Sequence, residues 1–401
     1  MNIFVINSGS SSIKYQLITM PARTVVCSGI VERIGMLNST IVHKIFMEGK
    51  PGLITAEMEI LDHAAGLQEV ARLLSHPVNG VVSDPSDINV VGHRVVHGGE
   101  SFAATTVINS LVKEEIKKLF SLAPLHNPPN YLGIEVAEKI FTTATQVAVF
   151  DTAFHQTLPP KAYRFAIPAD FYRTYGIRAY GFHGTSHKYV SAEAGRYLGN
   201  AGAKLITIHL GNGCSITAVE NGKSIDTSMG MGPMNGLVMG TRSGDIDQSV
   251  IFHLVNQLGY DLDQVNSMLN KKSGMLGLTG FSDMRDIRRE IEQGNEAAAL
   301  AFEMYAYRIR KYIGAYTAIL NGVDAIVFTG GVGENDVALR KMVASNLTFL
   351  GIHLNEEKNN QRIDGIREIN TDNAAVKILI VPTNEELEIA RQCYQLLSTT
   401  G

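Results

Sequence analysis

MNIFVINSGSSSIKY, residues 1–15, contains the pattern on which the rest of the chain is built. An apolar run at 3–6 is followed by a small polar segment at 7–12, and a half-apolar run follows at 13–18. This order predicts a strand, a tight turn and a second strand. Glycine lets backbone N–H groups approach an anion and serine hydroxyls add donors, so the turn is a candidate phosphate site. The same residue types form ordinary hairpin turns, so this stretch alone allows both interpretations.

The composition of the 401 residues is typical of a globular protein, since 45% are apolar and 18% are charged. The net charge is −4, and no basic block suggests nucleic-acid binding. No apolar run reaches the ~20 residues that a membrane-spanning helix needs, and we expect no secretory signal. Cys27, Cys214 and Cys393 are too far apart for a zinc site or a disulfide framework. We therefore expect a cytoplasmic protein with reduced thiols.

The strand and turn pattern recurs half a chain later. An apolar run leads into the glycine-rich turn at 211–215, and further apolar residues at 216–219 end at the hairpin signal Asn-Gly at 221–222. A buried strand at 325–328 likewise runs into a glycine-rich segment at 330–335. This recurrence favours two structurally related halves, although three-stranded meanders are common enough to resemble each other by chance.

Helical apolar spacing is clearest at 295–320, which predicts one long helix. Two consecutive prolines at 128–129 interrupt the chain, and Asn384 precedes two glutamates. Both patterns are typical of helix boundaries. Further helices are therefore expected at 54–75, at about 132–140, at about 185–198 with Thr185 or Ser186 as the N-cap, and directly after Asn384.

Four polar side chains lie at predicted strand ends or in glycine-rich segments, where catalytic groups of α/β proteins collect. Asp151 ends a buried strand, Arg94 follows another, His183 precedes a helix and Arg242 lies among Gly and Ser. An arginine fork suits carboxylate or phosphate recognition. Each residue also has a structural interpretation as a loop bridge, a cap or a satisfied core residue, and Glu385 can simply complement a helix dipole. No GxxxxGK[ST] motif occurs, so the chain is not a P-loop protein by motif.

The chain resembles the acetokinase family of the sugar kinase, Hsp70 and actin superfamily, on motifs that follow the family order from end to end. No single motif is specific to this family, whereas the complete set of motifs is. The motifs are NSGSSSIK (7–14), GHRVVHGGE (92–100), APLHNPPN (123–130), VFDTAFHQT (149–157), YGFHGTSH (180–187), HLGNG (209–213), DTSMGMGP (226–233), GLVMGTRSGDID (236–247), FTGGVGEN (328–335) and PTNEE (382–386).

The resemblance implies a duplicated ribonuclease H-like α/β fold. Its two domains would be 1–151 plus 385–401, and 152–384, with the active site in the cleft between them. It implies reversible transfer of the ATP γ-phosphoryl group to acetate, giving acetyl phosphate and ADP, with Mg²⁺ or Mn²⁺ as the metal. It also implies a cytoplasmic homodimer with small-molecule substrates, without a nucleic-acid or membrane partner.

The resemblance also assigns roles to individual residues. Catalysis falls to Asp151, His183 and Arg242, and metal binding to Asn7 and Glu385. The acyl substrate would be bound by Arg94, Val96, Leu125, Phe182 and Pro233. The nucleotide would be bound by Lys14, His209, Leu210, Gly211, Asn212, Gly213, Asp283, Met284, Arg285, Gly331, Val332, Gly333, Glu334 and Asn335.

Chemistry refines three of these expectations. Acetate is already ionised at neutral pH, so we expect Asp151 to orient the metal or Arg94 instead of moving a proton. Val96 is larger than the alanine associated with propionate-preferring relatives, which favours acetate over propionate. Cys214 replaces the small residue expected after Gly213, which predicts thiol-sensitive nucleotide binding.

A propionate or butyrate kinase is the nearest alternative function. An actin- or Hsp70-like ATPase is a further alternative, but it would not need an acyl pocket.

Overall fold

The computed structural model describes residues 1–49 and 52–399. The chain divides into two compact units, of which the first is Met1–Ala153 with Asn384–Gly401 and the second is Phe154–Thr383. Among the described residues, no helix combines the length and the apolar character that crossing a bilayer requires.

The first unit is an eight-stranded sheet with helices packed on both faces. Its elements are the strands β1 (Asn2–Ser8), β2 (Ser12–Thr19), β3 (Thr24–Glu32), β4 (Ser39–Ile45), β5 (Leu53–Met58), β6 (Val90–Val95), β7 (Thr106–Val107) and β8 (Thr145–Phe150), the helices α1 (His63–Leu74), α2 (Ser110–Lys118) and α3 (Asn127–Ile140), and the C-terminal helix Glu385–Ser398. The strand order is β5-β4-β3-β2-β1-β6-β8-β7. The pairs β1–β6 and β6–β8 are parallel, and the other pairs are antiparallel.

The central part of the first strand, residues 3–6, is apolar on both sides because both faces of the sheet are covered. Phe4 and Ile6 join the core formed with α1 and α3, whereas Ile3 and Val5 pack against the C-terminal helix. Each fully buried apolar side chain stabilises the fold by about 1.5–3 kcal/mol. The C-terminal helix packs so closely that a Cβ at Gly92 would lie 2.9 Å from Cys393 Sγ.

The opening turn joins β1 to β2 as the sequence predicts. Gly9 N–H donates to the Ser12 carbonyl at 2.8 Å, which closes a short turn. Asn7 and Lys14 are then directly opposite each other in the antiparallel ladder. The strand–turn–strand prediction is therefore confirmed, and it brings an amide and an ammonium group to one end of the sheet.

The second unit repeats this architecture around a six-stranded sheet. Its strands are β9 (Leu205–Leu210), β10 (Cys214–Glu220), β11 (Lys223–Thr227), β12 (Ala325–Thr329), β13 (Arg367–Glu368) and β14 (Lys377–Ile380). Its helices are α4 (Pro160–Tyr163), α5 (Ala169–Tyr175), α6 (Gly184–Tyr197), α7 (Ser249–Asn256), α8 (Leu262–Lys271), α9 (Gly274–Thr279), α10 (Met284–Glu292), α11 (Glu296–Leu320), α12 (Gly330–Asn335), α13 (Val337–Ala344) and α14 (Glu356–Asn360). The C-terminal helix, Glu385–Ser398, is α15 in chain order.

The two sheets share one topology. In the second, the order is β11-β10-β9-β12-β14-β13, with β11-β10-β9 antiparallel and β9-β12-β14 parallel. The same order and directions occur in the first sheet, where β3-β2-β1 is antiparallel and β1-β6-β8 is parallel. The predicted duplicated α/β fold is therefore confirmed at the level of sheet topology. The Asn-Gly hairpin is confirmed as well, since Asn221 and Gly222 have φ angles of 53° and 69°.

The helix expected over 54–75 is wrong in its first part. Leu53–Met58 forms β5, whose residues alternate in exposure, and the unpredicted strand β4 precedes it. The helix begins only at His63, because the Asp62 side chain accepts a hydrogen bond from Ala65 N–H at 2.8 Å and caps it. A short apolar run does not separate strand from helix by spacing alone.

Two predicted helix starts are also wrong. The helix expected from about 132 begins at Asn127, because Pro128 and Pro129 occupy a first turn that needs no backbone N–H donor. The helix expected to have Thr185 or Ser186 as its N-cap instead has His183 at that position, two residues before Thr185 and in a left-handed conformation with φ 57°.

Asp226 on β11 is a carboxyl group whose charge opposes folding. The Tyr316 hydroxyl donates to Asp226 Oδ1 at 3.4 Å, and burial raises the carboxyl pKa from 3.8 to about 6. The pKa of Asp226 is therefore higher in the folded protein than in the unfolded one. The neutral carboxyl's full contribution to the free energy of unfolding is present below the unfolded-state pKa, and it is lost as the pH rises through about 6. At ~1.4 kcal/mol per pKa unit, the change is at most about 3 kcal/mol.

Asp226→Asn is therefore expected to raise the free energy of unfolding at pH 8 and to leave it unchanged near pH 4. Urea unfolding at the two pH values measures both quantities. A stabilisation of equal size at both pH values would contradict the assignment.

Candidate functional site

Arg94 gathers three other polar side chains of the first unit around itself. Its Nη1 donates to Asn7 Oδ1 at 3.2 Å, its Nη2 forms an ion pair with Asp151, and its Nε lies 3.9 Å from Glu385 Oε2. The strands β1, β6 and β8 are parallel neighbours, so their carboxyl ends deliver Asn7, Arg94 and Asp151 to one edge. Residues that are far apart in sequence therefore form a single cluster at the edge where α/β sheets usually bind ligands.

The charges in this cluster do not balance. Asp151 is buried, with a side-chain exposure of 1%, and Lys14 Nζ pairs with Glu386 Oε1 at 2.5 Å. Burial raises the pKa of Glu385 to about 7; Arg94 lowers this pKa, whereas the carboxylates of Asp151 and Glu386 raise it. The three carboxylates therefore outnumber the two cations, and an additional positive charge would be stabilised here.

The donor set fits a magnesium ion. Asn7 supplies an amide oxygen and Glu385 a carboxylate, and Mg²⁺ takes few protein oxygens and keeps several waters. The raised pKa of Glu385 also fits a metal ligand, because a bound cation would stabilise its carboxylate. Within residues 1–49 and 52–399, no group of three or more His, Cys, Asp or Glu side chains is arranged to hold a metal ion.

His183 occupies a strained position at the start of α6 in the second unit. Its φ angle of 57° is one that few residues other than glycine adopt. Its Nδ1 lies 2.9 Å from Ser215 Oγ, and its ring stacks on that of His209 at a centroid distance of 4.5 Å. Local strain of this kind is concentrated at functional sites.

Arg242 and His183 converge over the backbone of Gly213. An ideal Cβ at Gly213 would lie 3.3 Å from His183 Nε2 and 3.5 Å from Arg242 Nη1. Arg242 Nη1 donates to the Pro233 carbonyl at 2.8 Å, which fixes the guanidinium. Burial lowers the arginine pKa, yet arginine remains charged in proteins. The two side chains thus place donors around one point that a larger residue at 213 would fill.

A cavity of about 950 Å³ lies at the glycine-rich turns of the second unit. This volume suits a ligand of nucleotide size. Among the residues expected to bind the nucleotide, those that line the cavity are Gly211, Asn212, Asp283, Met284, Arg285, Gly331, Val332 and Asn335. Sequence reasoning missed other lining residues, namely Ser282, Arg288, Glu292, Asp336, Val337 and Ala338. The amphipathic spacing of α10 after Asp283 is the signal that relates Arg288 and Glu292 to this wall.

Other expected nucleotide residues do not line the cavity. Glu334 folds back, since its Oε1 accepts hydrogen bonds from Gly330 N–H at 2.9 Å and Thr383 N–H at 3.1 Å. Leu210 is buried. The remaining non-lining residues are His209, Gly213 and Gly333, together with Lys14 in the first unit.

The expected acyl-binding residues are divided between the units. Val96 is buried, and its N–H donates to Asn130 Oδ1 at 3.0 Å, whereas Leu125 is 55% exposed. Phe182 and Pro233 belong to the second unit, where Phe182 is buried and its carbonyl accepts a hydrogen bond from His155 Nε2 at 3.0 Å.

Cys214 is a poor candidate for thiol sensitivity. It is fully buried, its Sγ lies 2.9 Å from the Tyr305 hydroxyl, and burial raises its pKa to about 11. Since thiolates and not thiols react, a thiol with this pKa is inert at neutral pH. The geometry therefore disfavours the expected sensitivity.

Comparison with known proteins places this geometry in a family. The model of the acetokinase family matches residues 2–391. The chain is 57% identical over 397 residues to a protein named acetate kinase from Flavobacterium johnsoniae, covering 99% of this chain and all of that one.

Two solved structures match over nearly their whole length. The acetate kinase of Porphyromonas gingivalis superposes with a TM-score of 0.93 at 42% identity, covering 99% of each chain. A propionate kinase from Francisella tularensis superposes with a TM-score of 0.91, also at 42% identity, covering 98% of each chain. The chain belongs to the acetokinase family.

Proposed function

We propose that the chain is an acetate kinase, which reversibly transfers the ATP γ-phosphoryl group to acetate. The observation that carries the proposal is the convergence of His183 and Arg242 over Gly213, in the unit that also holds a cavity of nucleotide size. Phosphoryl transfer needs charge neutralisation on the equatorial oxygens more than covalent help. An imidazole N–H and a guanidinium are suitable donors for those oxygens.

Arg94 is the proposed ligand of the acetate carboxylate. Its Nε is buried and makes no hydrogen bond among the described residues, so a carboxylate oxygen would satisfy it. Asp151 holds the same guanidinium through its ion pair with Nη2. In this proposal Asp151 orients Arg94 and moves no proton, because acetate needs no general base at neutral pH.

Asn7 and Glu385 are the proposed holders of Mg²⁺. When bound, the ion would neutralise charge on the nucleotide phosphates. The protein's own contribution is to fix the amide of Asn7, since Arg94 Nη1 donates to its Oδ1. ATP or ADP is proposed to occupy the 950 Å³ cavity of the second unit.

The substrate is tested by trapping acyl phosphates with hydroxylamine across a panel of short acids. We expect ATP- and Mg²⁺-dependent hydroxamate with acetate and a lower kcat/KM with propionate. Absence of hydroxamate with every acid, with ATP hydrolysis retained, would instead support an actin- or Hsp70-like ATPase. The similarity to the Francisella tularensis propionate kinase makes a propionate kinase the second candidate, and a higher kcat/KM for propionate would establish it.

Val96→Ala is expected to raise the propionate-to-acetate ratio of kcat/KM about tenfold, because room for one methylene changes binding by ~1–3 kcal/mol. Val95→Ala is the matched control. It removes the same atoms from the adjacent core residue, so it should lower stability without changing the ratio. An unchanged ratio in Val96→Ala would remove this residue from the acyl pocket.

Gly213→Ala is expected to lower kcat about 10- to 100-fold, since its methyl group would lie 3.3 Å from His183 Nε2 and displace the phosphoryl group. Steady-state kinetics measures the effect. Gly314→Ala on α11 is the control, because nothing lies within 4 Å of its added Cβ and full activity should remain. Normal turnover in Gly213→Ala would show that the phosphoryl group does not lie there.

The oligomeric state and compartment are also proposals. Leu300, Met304 and Tyr307 follow one face of α11 and are 41–62% exposed, which supports an apolar contact between two copies. Light scattering would show twice the chain mass for a homodimer.

The three free, buried cysteines support a reducing compartment such as the cytoplasm.

A further inference from the structure

A buried row of three side chains lies behind His183. Ser215 Oγ is 2.9 Å from His183 Nδ1 and 2.7 Å from His187 Nε2. His187 Nδ1 is in turn 2.8 Å from Thr207 Oγ1. Thr207, His187 and Ser215 are each fully buried. A continuous row of short hydrogen bonds therefore connects His183 with the interior of the second unit.

The imidazole of His187 is neutral in this row. Burial lowers its pKa well below 6.5, and the rings of His155 and His209, at centroid distances of 5.8 and 6.3 Å, lower it further. A neutral imidazole has one N–H donor and one acceptor nitrogen. The row has a direction because the buried Ser215 hydroxyl has one O–H to donate, and the two imidazoles are its acceptors. If both imidazoles donated to Ser215 Oγ, this O–H would have no acceptor among the described residues.

One direction starts at Thr207. Its hydroxyl donates to His187 Nδ1, so that His187 carries its proton on Nε2 and donates to Ser215 Oγ. The Ser215 hydroxyl then donates to Nδ1 of His183. In this arrangement His183 is neutral and carries its proton on Nε2.

The opposite direction leaves Thr207 poorly paired. His183 would carry its proton on Nδ1, and the Thr207 hydroxyl would have to donate to the Thr217 carbonyl, 3.4 Å away. Ordinary O–H···O bonds span about 2.5–3.0 Å, so this contact is weak. A poorly paired buried donor is costly, and the first direction avoids it.

The neighbourhood of His183 Nε2 favours a neutral donor. An ideal Cβ on Gly213 would lie 3.3 Å from His183 Nε2 and 3.5 Å from Arg242 Nη1, so the two nitrogens face the same point. A second positive charge on His183 would face the guanidinium, which disfavours an imidazolium. A neutral ring with its proton on Nε2 still presents a donor to a phosphoryl oxygen.

We propose that Thr207, His187 and Ser215 are positioning residues that hold His183 as the neutral tautomer protonated on Nε2. The inference rests on the proposed phosphoryl transfer for its catalytic meaning, whereas the tautomer itself is independent of activity. The three residues are fully buried, so each acts through His183 and not on the substrate.

Nitrogen-15 NMR of the histidine-labelled, ligand-free protein at pH 7.5 tests the tautomer directly. The His183 signals are assigned by their loss in His183→Gln. We expect an unprotonated Nδ1 and a protonated Nε2. A proton on Nδ1, or on both nitrogens, would overturn the proposal even in a fully active enzyme.

Thr207→Val tests the origin of the direction, because it removes the hydroxyl and keeps the branched shape. We expect a mixture of His183 tautomers and a kcat about tenfold lower, with the KM for ATP and for acetate within about twofold. Thr207→Ser, which restores the hydroxyl, should restore both the NMR pattern and kcat. A Thr207→Val protein with an unchanged tautomer would overturn the role of this residue.

Ser215→Ala gives the same two readouts if Thr207→Val does not fold. An unchanged tautomer in Ser215→Ala would likewise overturn the proposal. The proposed function fails separately, if the hydroxamate assay is negative while His183 is protonated on Nε2.

Discussion

Arg242→Ala is expected to lower kcat for acetyl phosphate formation about 10³-fold, while the KM for ATP changes much less. A guanidinium that neutralises the transferring phosphoryl group contributes 10³–10⁵ in other phosphoryl-transfer enzymes, so about 10³ is the lower end of that range. Arg242 Nη1 is held by the Pro233 carbonyl at 2.8 Å, so the group is in place before substrate binds. Such preorganised charge acts mainly in the transition state, which is why kcat and not KM should change.

Arg242→Lys separates charge from shape. Lysine keeps the positive charge but lacks the planar fork, so most of the loss should remain. Added guanidinium ions should partly restore kcat in Arg242→Ala and not in the lysine variant. The thermal midpoint controls for folding, because Arg242 also binds Pro233 through its side chain. A tenfold or smaller loss in Arg242→Ala would remove this residue from the transition state.

Arg94→Met is expected to lower the free energy of unfolding by about 3–5 kcal/mol. Asp151 has a side-chain exposure of 1% and pairs with Arg94, so the substitution leaves a buried carboxylate without its cation. Removing one partner of a buried ion pair has this cost because the remaining charge is uncompensated. Urea unfolding in EDTA measures the effect without a metal ion that could replace the lost charge.

The double variant Arg94→Met with Asp151→Asn should recover most of that stability, since it removes both charges. Acetate turnover should remain abolished, because the proposed carboxylate ligand is still missing. Arg94→Lys should retain more stability than Arg94→Met and raise the KM for acetate, because lysine keeps the charge but lacks the guanidinium Nε–H that is proposed to bind the carboxylate. Additive losses in the double variant would show that the pair is not coupled.

Local patterns predict much of the fold. The apolar run at 3–6, the polar turn after it and the Asn-Gly hairpin each predict structure through chemistry within a few residues, and all three are confirmed. The long α11 is confirmed for the same reason, since its apolar stripe repeats over many turns. Prediction fails where long-range packing decides, as at β5, where pairing with β4 makes a strand of residues expected to be helical.

Motifs predict the residues of the candidate site, and the structure shows what the motifs leave out. Glu334 belongs to a glycine-rich motif, yet its carboxylate accepts backbone hydrogen bonds instead of lining the cavity. Arg288 and Glu292 line the cavity, although no motif contains them. A motif specifies which residue types occur together in sequence, whereas side-chain direction depends on the elements packed around them.

By itself, the sequence determined the duplicated α/β pattern, the turns after β1 and β9, and the residue types available for phosphoryl transfer. Only the tertiary structure decided the state of those residues. It buries Asp151 against Arg94, raises the pKa of Glu385 to about 7, and connects His183 through Ser215 to the buried His187. The physical reason is that strand and turn formation depend on neighbours in sequence, whereas burial, charge coupling and hydrogen-bond direction depend on groups that only folding brings together.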